Sequence, residues 1–137
     1  MDPASLKDVP LFAGLSRRVR KVVAQHADEV AVAAGTEIVS EGALAHELFV
    51  IVEGTAEVSK GGTMIRQLGP GDVVGEIGVL KTHKRSATVT ATTPVKAIVV
   101  YGPELTALDE TMPEVFAELE SLIEERLAEL GADRTDR

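Results

Sequence analysis

A chain of 137 residues can bury one hydrophobic core and has little room for a second, and the absence of cysteine excludes disulfides, thiolate metal sites and cysteine nucleophiles while suiting a reducing compartment. A formal net charge of −8 is the wrong sign for a reader of phosphate backbones, so direct nucleic-acid binding is not expected. The N-terminal MDPASLKDVPLFAGL lacks a basic region followed by an apolar run, and other apolar stretches are strand-sized, so a cytoplasmic protein with no membrane partner is expected.

From Leu6 to Leu15 the chain is apolar and broken by Pro10 and Gly14, which fits a short helical turn and a loop packed on a core. Ser16 can cap a helix running from Arg17 to about His26, with Leu15 just before the cap and Val19, Val22 and Val23 as an apolar stripe. Arg17, Arg18, Arg20 and Lys21 then face solvent. The following AVAAG has weak periodicity, and Gly35 opens a different regime. Short β-prone runs separated by glycine turns predict strands at Thr36 to Val39, Glu47 to Val52, Ala56 to Lys60, Met64 to Leu68, Ala87 to Thr92 and Lys96 to Val100. Gly61-Gly62 is a hairpin signal, because both residues can take the positive φ of a tight two-residue loop.

The pattern changes again at Gly102. Pro103 to Glu110 is a predicted helix, and Pro113 suits the first turn of a longer one from Glu114 to Leu130. Phe116, Leu119, Leu122, Ile123, Leu127 and Leu130 make its apolar face, which needs the β core, a partner's matching helix, or both to cover it. The expected organisation is one domain over 1–137: an N-terminal helical part at 5–27, a β region at about 35–101 and C-terminal helices at 103–130.

The chemistry concentrates between Gly69 and Val89, GPGDVVGEIGVLKTHKRSATV. Its glycines leave backbone N–H groups free to converge on an anion. Arg85 offers a planar bidentate donor for a phosphate, and ionised Glu76 accepts from a hydroxyl or binds a cation. No Asp or Glu occurs between Glu76 and Glu104, whereas Lys81, Lys84, Arg85 and Lys96 do, so this acidic protein has a locally basic segment. Phosphate and sugar hydroxyl together indicate a nucleotide.

These residues also carry a family resemblance. PLFAGLS, AAGTEIVSEG, ELFVIVEGTAEV, LGPGDVVGE and RSATV occur in the order and spacing of the cyclic nucleotide-binding domains of bacterial catabolite activators, kinase regulatory subunits and cyclic-nucleotide-gated channels. The family's phosphate-binding cassette resembles Gly75, Glu76, Ile77, Gly78, Val79 and Leu80 followed by Arg85, Ser86 and Ala87, without insertion or deletion. The resemblance implies a mainly β fold, an eight-stranded antiparallel β-roll or jelly roll (a double-stranded β-helix) with flanking N-terminal and C-terminal α-helices. It further implies that Glu76 accepts from the ribose 2′-OH, that Arg85 clamps an exocyclic phosphate oxygen, and that Ile77 and Gly78 supply backbone N–H groups. By the same resemblance Ser86 touches phosphate or base, Val58, Ile65 and Leu68 lie near sugar and base, and Arg126 reaches back from the last helix. Lys84 stands where many members have proline, and Val74 where an aromatic is usual.

The implied function is a non-catalytic regulatory module that binds a cyclic mononucleotide, cAMP first and cGMP second, and signals by movement of the C-terminal helix. A homodimer through that helix is a possible assembly. Nothing after it would form a helix-turn-helix, kinase, pore or acyltransferase, so an unknown effector protein or an oligomer is expected to receive the signal. One alternative is a ligand-free interaction or dimerisation module of the same fold. A cupin-type enzyme is another, but it would need clustered histidines with a carboxylate, and His26, His46 and His83 fall in different predicted elements. No cofactor or metal is expected.

Overall fold

A computed structural model describes residues 3–7, 9–43, 47–74 and 87–129. Three helices come first: α1 (Pro3–Leu6), α2 (Pro10–Ala13) and α3 (Arg17–Gln25). Eight strands follow: β1 (Ala27–Val32), β2 (Glu37–Val39), β3 (Glu47–Glu53), β4 (Ala56–Lys60), β5 (Thr63–Leu68), β6 (Val73–Val74), β7 (Thr88–Ala91) and β8 (Val95–Tyr101). Helices α4 (Gly102–Thr111) and α5 (Pro113–Glu129) end the described chain. The eight strands form two four-stranded antiparallel sheets, ordered β1-β8-β3-β6 and β2-β7-β4-β5, which is the expected β-roll with flanking helices.

The molecule has three layers and two apolar interiors. Between the helices and the first sheet lie Leu6, Phe12, Leu15, Val19, Val23, Leu48, Val50, Val73, Ile98, Val100, Val115, Phe116 and Leu119. Between the two sheets lie Val39, Ile51, Ala56, Val58, Leu68, Val74, Ala87, Val89, Ala91, Val95 and Ala97. The first sheet is therefore covered on both faces, which explains why β8 reads as the nearly continuous apolar run VKAIVVY rather than a clean alternation. Each fully buried Leu or Phe contributes about 1.5–3 kcal/mol of transfer free energy, so even the four-residue α2 is held firmly through Phe12.

Local signals account for most of the elements. The Ser16 hydroxyl caps α3 by accepting the Val19 N–H at 3.3 Å, and Val19 and Val23 are buried as the stripe requires. Arg17, Arg18 and Lys21 are exposed, whereas Arg20 is half-buried and donates to the Leu15 carbonyl at 2.5 Å. Gly61 and Gly62 have φ of +58° and +81°, the left-handed pair that turns β4 into β5. Sheet structure begins at Ala27, not at Gly35, because Ala27–Val32 pairs along its whole length with β8. The two-residue β6 is also absent from the sequence expectation.

Candidate functional site

The turn from Leu68 to Asp72 is stitched to β3. Asp72 Oδ2 accepts the Gly69 N–H at 2.8 Å, and the Asp72 N–H donates to the Gly69 carbonyl at 3.1 Å. Gly71 N–H donates to the Ile51 carbonyl at 2.8 Å, and Ile51 N–H to the Asp72 carbonyl at 3.0 Å. This arrangement launches β6, in which Val73 pairs with Val50 and Val74 with Phe49. Successive side chains of a strand point to opposite faces, so Val73 enters the helix-covered interior and Val74 the inter-sheet interior.

The chain leaves Val74 on the edge of the first sheet and reappears at Ala87, next to β7 of the second. Gly75, Glu76, Ile77, Gly78, Arg85 and Ser86 lie outside the described residues, and the structure supplies their two anchors. Ala87, the last residue of the motif, is buried in the inter-sheet interior with Val58 and Leu68, so these three expected site positions come together. They form an apolar floor on the inner side of the second sheet, each between 1% and 3% exposed.

Ile65 stands apart from that floor. The β4–β5 ladder slips between Val58 and Ser59, which pair with Arg66 and Met64, so Ile65 is the unpaired residue of a bulge and is 48% exposed. Arg126 belongs to α5, and its side chain is outside the description, as are those of Ile123 and Leu127; Leu130 lies beyond the described residues altogether. Phe116 and Leu119 are buried as expected, and so is Val115, at 0% exposed, which the sequence reading left off the stripe.

Sequence reasoning also missed Arg66. Directly paired residues of an antiparallel ladder project to the same face, so Arg66 shares the inner face with Val58 and Leu68, and it is half-buried. The signal was the alternation of Arg66, Gln67 and Leu68 read backwards from an inward leucine. Among the described residues no cluster of three or more His, Cys, Asp or Glu could hold a metal ion. Among the described residues, the carboxyl held below its ordinary value is that of Glu114 at the start of α5, far in sequence from the motif.

Two four-stranded antiparallel sheets with helices at both ends define the class of β-roll domains. The chain belongs to the cyclic nucleotide-binding domain family, whose model matches residues 29–111. It is 38% identical over 92 residues to a cAMP-dependent protein kinase regulatory subunit of Eremothecium gossypii, a match that covers 66% of this chain and 20% of that protein. The chain spans between 17% and 32% of the length of the curated relatives it matches. Among solved structures, one from Geobacter metallireducens named for cyclic nucleotide binding superposes with a TM-score of 0.84 at 22% identity, covering 93% of this chain and 96% of the other. The cAMP-bound PfPKA-R superposes with a TM-score of 0.68 at 24% identity, covering 96% of this chain and 46% of the other. At these identities the superpositions speak for the fold.

Proposed function

We propose that this domain is a non-catalytic, cytoplasmic sensor that binds a cyclic mononucleotide in the segment joining β6 to β7. The observation that carries the reading is the family match over residues 29–111, supported by the described flanks of the GE…RSA motif: Val74 ends β6 in the first sheet, and Ala87 is buried with Val58 and Leu68 on the inner side of the second. Arg85 would clamp the phosphate, Ile77 and Gly78 would donate backbone N–H groups to it, Glu76 would accept from the ribose hydroxyl, and Gly75 would leave room for close approach. Ser86 would add a hydroxyl, while Ile65 and Arg126 would complete the site from the β5 bulge and α5. The kinase relatives are named for cAMP, which makes cAMP the first ligand to titrate and cGMP the second.

Val73 supports a signalling role. It shares the helix-covered interior with Val115, Phe116 and Leu119 of α5, while its neighbour Val74 lies in the interior that the ligand would overlie. A ligand that draws on the segment after Val74 would pull on β6, and Val73 would carry that pull into the interior that it shares with α5. The outputs of such a movement would be a homodimer through α5 or an effector protein.

Calorimetric titration of the protein with cAMP and cGMP, with R85A as control, tests the reading. Saturable binding that R85A loses supports it. A folded, nucleotide-free sample that binds neither would leave the β-roll as an interaction module. Amide exchange of α5 with and without ligand tests the signalling part, and unchanged protection would mean binding without a switch.

A further inference from the structure

Among the described residues the two sheets end on the strands β1, β6, β2 and β5, and three of these edges are blunted. Strand β6 has two residues, β2 has three in an irregular register, and β5 is broken by the bulge at Ile65. Strand β1 differs: all six residues of Ala27–Val32 pair with β8 in unbroken register. In an antiparallel ladder alternate residues turn both N–H and C=O away from the partner strand, so the outer side of β1 presents a regular row of donors and acceptors. Among the described residues nothing hydrogen-bonds to that row between Asp28 and Val32. Adjacent strand residues point to opposite faces, so Asp28 and Glu29 place one exposed carboxylate on each side of the edge. Asp28 accepts the Tyr101 hydroxyl at 3.4 Å and Glu29 lies 3.9 Å from Lys96 Nζ, long contacts that leave lone pairs for a further donor. Val30 and Val32 are half-buried and pack against the inter-sheet interior.

We propose that β1 is a docking edge for an extended basic segment of a partner protein, which joins the first sheet as an added strand. The backbone row supplies affinity to any extended chain, and the side chains select the sequence. Two adjacent Lys or Arg residues of the incoming strand point to opposite faces and so meet Asp28 and Glu29 together. Valine or isoleucine further along that strand extends the apolar side formed by Val30 and Val32. A second copy of this chain is the wrong occupant, because it carries the same net charge of −8 and brings the same carboxylates to the edge. A neutral or acidic segment lacks the charge attraction that offsets the cost of ordering an extended peptide.

The test is fluorescence anisotropy of the labelled peptide TVTVKRT with the full chain. In antiparallel register this peptide sets its lysine and arginine opposite Glu29 and Asp28 and its valines opposite Val30 and Val32. The wild type should bind it saturably and more weakly as salt rises, and should bind TVTVEET about tenfold or more weakly. The variant D28N/E29Q, shown by thermal melts to fold, should lose about fivefold in affinity, the scale of two solvent-screened ion pairs. N-methylation of every second peptide amide should abolish binding for one alternating set and spare the other, because only one set donates to β1. Bound peptide should also slow amide exchange in β1. Failure of TVTVKRT to bind, unchanged affinity in D28N/E29Q, or equal effects of the two N-methylated sets overturns β1 as a docking edge.

Discussion

The backbone N–H of Ser16 donates to the Glu118 carboxylate at 2.7 Å, joining the cap of α3 to the middle of α5. One turn earlier in α5, Glu114 pairs with Arg18 at 2.7 Å. Both carboxylates sit by the first turn of α3, where unpaired N–H groups and the helix dipole favour negative charge. At the same joint Gly14 packs so closely that an added Cβ would lie 3.1 Å from Leu122 Cδ1. The polar contacts and the apolar contact together fix α5 against the N-terminal helices.

Removing the Glu118 carboxylate should loosen that joint without touching either interior. E118A is expected to cost about 1 kcal/mol in urea denaturation, the scale of one partly exposed hydrogen bond, and to raise amide exchange along α5. Wild-type exchange in α5 would mean that apolar packing alone positions the helix.

Acid should weaken the joint as well. A backbone hydrogen bond, then the Arg18 side chain, hold the exposed Glu114 carboxyl below its ordinary value. A carboxyl whose pKa is depressed by folding contributes stability that is complete above its unfolded value and disappears as pH falls through the folded one. Solvent screening keeps the contribution small. Urea midpoints measured down through the acidic range should fall less steeply for E114Q than for the wild type, and parallel curves would remove Glu114 from the acid response.

Much of this architecture is legible in the sequence, and what escapes has physical causes. Gly61-Gly62, the Ser16 cap and Pro113 each impose a local conformation that context cannot easily override, and each stands where expected. Strand β1 is different: ADEVAV carries two adjacent acidic residues and weak alternation, and it is a strand because β8 offers it a complete ladder. At two residues, β6 is shorter than any periodicity can reveal; the hydrogen bonds of Gly71 and Asp72 to β3 create it. The bulge at Ile65 is likewise a property of the pair of strands. It separates Ile65 from Val58 and Leu68, three positions that only the family resemblance had grouped, and turns Arg66 inward.

Gly54 gives a sharp test of how the two sheets are cornered. The β3–β4 and β7–β8 connections lie side by side, held by Thr55 N–H on Thr93 Oγ1 at 2.9 Å, Thr92 N–H on the Thr55 carbonyl at 3.0 Å and the Thr55–Thr92 hydroxyl pair at 2.7 Å. Gly54 has φ of +91°, and a Cβ there would lie 2.2 Å from the Pro94 carbonyl oxygen. Backbone atoms cannot rotate away, so G54A should lose about 3 kcal/mol or more. Gly62 has φ of +81° with nothing within 4 Å of an added Cβ, and G62A should lose only the backbone cost of about 1 kcal/mol. Urea denaturation of the two variants separates clash from conformational strain, and equal losses would discount the corner.

Arg85 is the residue on which the binding reading turns. In a site that excludes water its guanidinium would make charge-assisted hydrogen bonds to two phosphate oxygens, and deleting it would leave the ligand's charge without a partner. R85A should therefore cost about 2–5 kcal/mol of binding free energy for cAMP and cGMP alike. R85K keeps the charge and loses the planar fork, so it should fall between R85A and the wild type. A loss below about 1 kcal/mol in R85A, within the range of a solvent-screened surface pair, would place the phosphate elsewhere on the domain.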